Sequence, residues 1–322
     1  MTPTSLVAGL LPVVAVARAR ALLVAGPLAV VITLAGCGTL HPSAREAVIR
    51  VPDPPAAGRP AAEADLGWAA AAGRAVPRGG PVGVTFSQVT TKDGSLITIA
   101  TFRGPVQYAL HNGSDDPGPL AGPVRAGPKV TGTERERLLA AFNGGFKLDA
   151  LAGGYEQEGH VVRALRGGLA SLVIDTSGQA SVGVWGRGLP VKGEAVYSVR
   201  QNLWALVANG QPTAESALWW RWGGTLGHTE YAARSALGEN AAGELMYAAS
   251  MSATPADLAG ALIGSGARTA MELDINPEWV QLDTASRPGG PLSPGVPGQH
   301  RPASQYLTGW TRDFITVLTP AP

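Results

Sequence analysis

The stretch DLAGALIGSGARTAMELDINPEWV, residues 257–280, carries the reading of the fold. Just ahead of it, Thr254-Pro255-Ala256-Asp257 sets a capping hydroxyl, a first-turn proline and an acidic third position in the order that starts a helix. Glycines at 264 and 266 should stop that helix, and AMELDINPEWV, residues 270–280, then reads as a strand. Alternation along it sends Glu272, Asp274 and Asn276 to one face and Met271, Leu273 and Ile275 to the other. The apolar face packs inward, while the polar face carries two carboxylates about 7 Å apart by the strand rise. Like charges that close in a partly buried cleft raise one pKa, which separates an acid from a base. The same pattern also suits any half-exposed strand.

Outward from this segment, short strands are punctuated by turns. Residues 96–102 alternate after Asp93-Gly94, and 171–175 and 180–185 pair across Ser177-Gly178. A second hairpin joins 235–238 to 244–249 across residues 240–243. Thr133 and Glu136 form a capping box that predicts a helix over 137–141. Residues 286–303, rich in Pro and Gly, read as an exposed loop bordering the site before a final strand over 313–318. The expected fold is α+β, a mixed, mostly antiparallel sheet flanked by helices.

Composition narrows the function. The chain has 322 residues, 45% hydrophobic and 15% charged, with formal net charge +1, and it lacks the Lys/Arg runs of a nucleic-acid arm. With 43 Gly and 26 Pro, elements must be short. No serine-hydrolase elbow, phosphate-binding Walker loop or HExxH helix is present, and no His or Cys pair has zinc-ligand spacing, so neither a metal nor a cofactor is expected.

The single cysteine lies near the N-terminus. Arg18 and Arg20 precede a 16-residue apolar run that ends in Leu34-Ala35-Gly36-Cys37. That run is short of the roughly 20 residues of a membrane span. The pattern resembles a bacterial lipoprotein signal, which implies cleavage before Cys37 and a diacylglyceryl group on its sulfur. Two acyl chains suffice for stable attachment to a membrane. The expected organisation is a signal peptide over 1–36, a lipidated Cys37 with a Pro/Ala/Gly-rich tether to residue 80, and one domain over 81–322.

Residues 140–147, AAFNGGFK, end an apolar run in Asn143-Gly144-Gly145-Phe146. Two glycines there would free the backbone to take positive φ and open its amides to a ligand. NGGF, the segment 195–211 with Leu206-Val207 and Asn209-Gly210, Arg234-Ser235-Ala236-Leu237-Gly238, and Leu273-Asp274 together resemble the phosphodiester glycosidase family over residues 80–320. Where that family has a glycine triplet after Leu-Asp, this chain has Ile275-Asn276-Pro277-Glu278.

The resemblance implies hydrolysis of the glycosidic bond of a sugar-1-phosphodiester, here in the cell envelope. A phosphate leaves as a stable anion, so the reaction depends on a cation with directional donors more than on a general acid. Arg234 is the candidate cation, with Asp274 and Glu272 as catalytic carboxylates. Asn143, Gly144, Gly145 and Asn276 are candidate substrate contacts, and Trp220, beside Trp219 and Arg221, is a candidate platform for a sugar ring. A non-catalytic binder of phosphoglycans is the alternative.

Overall fold

The structure, a computed structural model, describes residues 76–78, 83–150, 153–223 and 229–321. The signal segment, Cys37 and nearly all of the tether lie outside the described residues. Among the described residues no helix is long and apolar enough to cross a membrane.

Three sheets wrap one core. The largest has eight strands in the order Val76–Arg78, Val84–Thr90, Leu96–Phe102, Leu245–Ala253, Ala232–Asn240, Ala267–Ile275, Ala205–Ala208 and Gln211–Pro212, all antiparallel. A six-stranded sheet runs Gly188–Leu189, Ala180–Trp185, Ala170–Asp175, Val196–Gln201, Tyr155–Gln157 and His160–Arg163; its first pair is parallel. A five-stranded sheet runs Leu292–Pro294, Leu282–Ala285, Leu138–Asn143, Phe314–Leu318 and Gln107–His111. All three send side chains into one apolar cluster, including Phe102, Leu237 and Met271 from the first, Leu172 and Val182 from the second, and Phe142 and Ile315 from the third. Phe142 stacks on Phe102 at 5.6 Å and tilts against Tyr247 at 5.1 Å, tying the first sheet to the third.

The outer face of the large sheet carries the helix Pro255–Gly264, started by the expected capping box: Thr254 Oγ1 accepts from the Asp257 amide at 3.1 Å, and Asp257 Oδ2 accepts from the Thr254 amide at 2.9 Å. Leu258 and Leu262 of the helix are buried over Ala236, Ala248 and Ala270, whose small side chains let it approach. A Cβ at Gly238 would lie 3.1 Å from Leu262 Cδ2, so a side chain there would press on the helix above it.

Both hairpins, the strand Leu96–Phe102 and the final strand form as the sequence predicts. Two expectations change. The fold is mostly sheet and only sparsely flanked by helices, because three sheets facing one cluster cover each other's apolar faces. The predicted helix over 137–141 is a strand instead. A short helix, Gly132–Arg137, ends where Leu138–Asn143 begins, and all six strand residues are buried between Leu282–Ala285 and Phe314–Leu318. A strand covered on both faces reads as a continuous apolar run, which periodicity alone does not separate from a buried helix.

The segment 286–303, expected as one exposed loop, instead contributes the strand Leu292–Pro294 to the third sheet, where it pairs with residues 283–285. Its Gln299 Nε2 donates to Asp283 Oδ1 at 2.8 Å, and Gln281 Nε2 donates to Asp283 Oδ2. Both partners are neutral amides, so burial prevails and pushes the Asp283 carboxyl from 3.8 up to about 7. A carboxyl raised by folding contributes stability that is full below about pH 4 and lost as pH rises through about 7. Thermal unfolding should therefore show a lower midpoint at pH 8 than at pH 5, and Asp283→Asn should narrow that difference; an unchanged difference in the variant would refute this assignment.

Candidate active site

The strand Leu138–Asn143 delivers the chain into the Asn143-Gly144-Gly145-Phe146 turn. Neither Gly144 nor Gly145 adopts positive φ, and their amides face inward. Gly144 N donates to Asp313 O at 2.9 Å, and Gly145 N donates to Asp313 Oδ2 at 3.2 Å. A Cβ at Gly144 would lie 2.0 Å from Asp313 Oδ2, and one at Gly145 would lie 2.8 Å from Arg200 Cζ. These positions are glycine so that a buried ion pair can lie flat on the turn, and the expected opening of their amides to a ligand does not occur. Arg200 Nε donates to Asp313 Oδ2 at 2.7 Å and Nη2 to Oδ1 at 3.3 Å, while the remaining guanidinium donors reach Gln201 O and Phe146 O.

Asn143 is also consumed by structure. Its Nδ2 donates to Ser235 Oγ at 2.9 Å and Gly144 O at 3.0 Å, and its Oδ1 accepts from Tyr247 Oη at 2.7 Å and the Gln281 amide at 3.2 Å. Arg234 and Glu272 form a fully buried ion pair, Nη1 to Oε1 at 2.9 Å, with Arg234 Nε donating to Ala253 O. The even-numbered positions of these two strands, Ala236 and Ala270, belong to the cluster under the helix Pro255–Gly264, and this parity carries Arg234 and Glu272 away from solvent. Burial raises the Glu272 carboxyl to about 7 against the pull of Arg234, and its Oε2 has no hydrogen-bond partner. Arg234 is thus a framework cation, and the catalytic roles expected of Arg234 and Glu272 have no substrate-facing surface to act on.

Asp274 is placed differently. At the end of its strand it is 6% exposed, and its Oδ2 lies 3.0 Å from Arg312 Nη2. Its Oδ1 accepts from the Ile275 amide at 2.9 Å, and its own amide donates to Gly144 O. Burial raises its carboxyl to about 6; Arg312 and the Ile275 amide oppose the shift, and Asp313 adds to it. Arg312 is itself buried, at 5% exposure. It lines a cleft of about 390 Å³ together with Trp279, Thr311, Lys147, Leu148, Asp149, Asp115, Asp116, Pro117 and Leu120. Asp274 stands behind this guanidinium and does not line the cleft itself. Arg312 Nη2 also donates to Gly145 O at 3.2 Å, and its side chain packs 5.2 Å from the Trp279 ring. Its Nε forms no hydrogen bond and stays 3.5 Å from Asp116 Oδ2. Burial also raises the Asp116 carboxyl, with Asp313 adding and Arg200 and Arg312 opposing.

Asn276 acts as a turn former. Its Oδ1 accepts from the Glu278 amide at 2.9 Å, and its carbonyl accepts from Trp279 and Val280. In place of a glycine triplet, this turn swings Trp279 to the cleft. From the segment 286–303, Arg301 places its guanidinium 5.9 Å from the Trp279 ring, while no residue of that segment lines the cleft. Trp220 is 52% exposed on a single helical turn, edge-on to Trp219, and does not line the cleft. Among the described residues no three His, Cys, Asp or Glu side chains gather in a way that could hold a metal ion.

Sequence reasoning missed Arg312, Asp116 and Trp279. The available signal was an Arg-Asp pair, Arg312-Asp313, immediately before a buried terminal strand, a place where charges need partners. Gly144→Ala should cost about 3 kcal/mol or more through overpacking against Asp313, whereas Gly127→Ala, with open space at its Cβ, should stay within about 0.5 kcal/mol. Urea midpoints that fail to separate these two variants would refute the packing role.

No family model matches the chain, and no curated protein matches it. Among solved structures, the catalytic domain of zebrafish N-acetylglucosamine-1-phosphodiester alpha-N-acetylglucosaminidase, auto-inhibited by its pro-peptide, is similar at 17% identity and TM-score 0.49, covering 77% of this chain and 84% of that one. A hypothetical protein from Synechocystis is similar at 14% identity and TM-score 0.45, over 77% of this chain and 64% of that one. A Burkholderia pseudomallei K96243 protein is similar at 12% identity and TM-score 0.38, over 72% and 74%. At these values the likeness is a distant one in the course of the chain and says nothing of chemistry.

Proposed function

We propose that this protein hydrolyses the glycosidic bond of a sugar-1-phosphodiester, displayed on the outer side of a bacterial membrane by a lipid on Cys37. The observation that carries the reading is Arg312: a guanidinium lining a cleft, ion-paired with Asp116 at 3.5 Å and with Asp274 at 3.0 Å, whose carboxyl burial raises to about 6. The motifs NGGF, RSALG and Leu273-Asp274 support the same reaction class by resemblance.

In this reading the Trp279 ring takes the apolar face of the sugar, and Asp115 and Asp149 accept hydrogen bonds from its hydroxyls. Arg312 holds the phosphate, replacing Arg234 in the role that the sequence suggested. A water oxygen bonds to the anomeric carbon as the bond from that carbon to the phosphate oxygen breaks. The phosphate monoester leaves with the electron pair, a carboxylate that lines the cleft accepts the proton that the water loses, and Asp274 holds the Arg312 guanidinium from behind. Carboxyls raised by burial also reduce the negative charge that the phosphate meets in mildly acidic solution.

A second reading rests on the engagement of both Asp274 oxygens, one by Arg312 and one by the Ile275 amide. A site so filled retains a phosphoglycan without cleaving it.

The two readings separate on a methyl phosphodiester of hexose 1-phosphate. For the hydrolase, kcat/KM should rise as Asp274 ionises near pH 6, and Asp274→Asn should lower it on the order of 10²- to 10⁴-fold. Arg312→Gln should lower it about 10²- to 10³-fold, and Trp220→Ala should leave it unchanged. Full activity in Asp274→Asn would overturn the role given to Asp274; no turnover by the unaltered protein would overturn the hydrolase, and glycan retention without turnover would establish the binder.

A further inference from the structure

We propose that Asp116 determines which phosphate this cleft accepts: its carboxylate, set against the Arg312 guanidinium, admits a singly charged phosphodiester and turns away a doubly charged phosphate monoester. The inference rests on the reading of Arg312 as the phosphate holder, and adds to it the charge of the ligand and the residue that selects it.

Three aspartates, Asp115, Asp116 and Asp149, line the cleft against two cations, Lys147 and Arg312, so its wall holds more negative charge than positive. Asp115 and Asp149 are exposed, whereas the Asp116 side chain keeps only 18% of its surface. The Arg312 guanidinium pairs with two carboxylates, Asp116 at 3.5 Å and Asp274 at 3.0 Å. Asp274 does not line the cleft. Asp116 is therefore the carboxylate that both faces the ligand space and touches the cation a phosphate would need.

A charge that selects must be unable to step aside, and this one is held at three points. Its Oδ2 accepts from the Leu148 amide at 3.1 Å, its own amide donates to Thr311 O at 3.0 Å, and its carbonyl accepts from the Gly113 amide at 3.2 Å. Thr311 directly precedes Arg312, so the same contact that fixes the aspartate fixes it relative to the guanidinium. A Cβ at Gly113 would lie 2.2 Å from Thr311 O; the loop carrying Asp116 thus lies flat on the segment carrying Arg312. On its inner side Asp116 feels Asp313 and Arg200, which are closed on each other at 2.7 Å. Arg312 is left as its direct ionic partner.

Selectivity is a difference of two affinities, and a fixed like charge is one way to build it. Hydrogen bonds from the guanidinium are available to either ligand. What separates them is the second ionisation of a phosphate monoester, near pH 6, which a diester cannot undergo. Beside a carboxylate at a protein surface, that extra charge costs on the order of tenfold in affinity or more. Hydrolysis itself converts the accepted form into the rejected one. The electron pair of the broken bond stays on the phosphate oxygen, the ligand gains a charge, and the product is expelled by the residue that tolerated the substrate.

Dimethyl phosphate and methyl phosphate, titrated at pH 8 into the full chain and followed by nuclear magnetic resonance at the Trp279 indole, test this directly. The diester should bind about tenfold more tightly or better. Asp116→Asn and Asp116→Ser should each reduce that ratio severalfold by tightening methyl phosphate, a gain that a misfolded variant could not show. Arg312→Gln should weaken both ligands. Equal affinities in the unaltered protein, a ratio unchanged in both Asp116 variants, binding indifferent to Arg312→Gln, or no measurable binding would each overturn the proposal. Loss of both ligands in both Asp116 variants would make the aspartate a framework residue and overturn it too. Hydrolysis of the methyl diester of hexose 1-phosphate separates the proposal from the reading beneath it. Turnover with a ratio indifferent to Asp116 refutes the selection and leaves the hydrolase standing; an Asp116-dependent ratio without turnover refutes the hydrolase and supports the selection.

Discussion

The site depends on one buried ion pair, Arg200 with Asp313, laid across the Gly144-Gly145 turn. Arg200 comes from the six-stranded sheet, Asp313 from the lead-in to the last strand of the five-stranded sheet, and the turn from the strand beside that one. The pair is fully enclosed, so removing either member would leave a charge without water or partner, a far larger penalty than the net worth of the pair itself. Its two hydrogen bonds fix where Asp313 sits and, through the chain, where Arg312 must emerge. Because Gly144 O also accepts from the Asp274 amide, the same turn sets Asp274 against Arg312.

A second buried pair, Arg234 with Glu272, shows the opposite use of the same chemistry. It lies under a helix, with the guanidinium bonded to backbone carbonyls and no route to solvent. Glu272 and Asp274 are two residues apart, yet one belongs to the framework and the other to the back of a cleft. The difference comes from a register shift: Arg234 pairs with Ile275 and Ala236 with Glu272, so an extra residue interrupts the alternation between Glu272 and Ile275, and there the Asp274 amide meets Gly144 O.

Much of the large sheet was legible in the sequence. The hairpin turns, the capping box at Thr254 and the helix-to-strand order are local patterns, and local hydrogen bonding enforces them. The strand Leu138–Asn143 was not legible, because burial on both faces erases alternation. Within the site, Asp274 could be named from the sequence, whereas Arg312 could not, since its partners Asp274, Asp116 and Gly145 are 38 to 196 residues distant and nothing local marks them. Arg234 misled for a related reason: an arginine in a strand motif gives no sign of which face it will take until its neighbours across the sheet are known.

The neighbours Arg312 and Asp313 also constrain how this chain can change in length. Trp310 and Phe314 are both buried against Tyr306, at 5.6 and 4.7 Å, and so clamp the interval that holds Thr311, Arg312 and Asp313. Arg312 and Asp313 are both buried there, at 5% and 1% exposure, so inserting or deleting one residue inside that interval would part both charges from their partners. Indels should therefore be excluded between these two aromatic anchors.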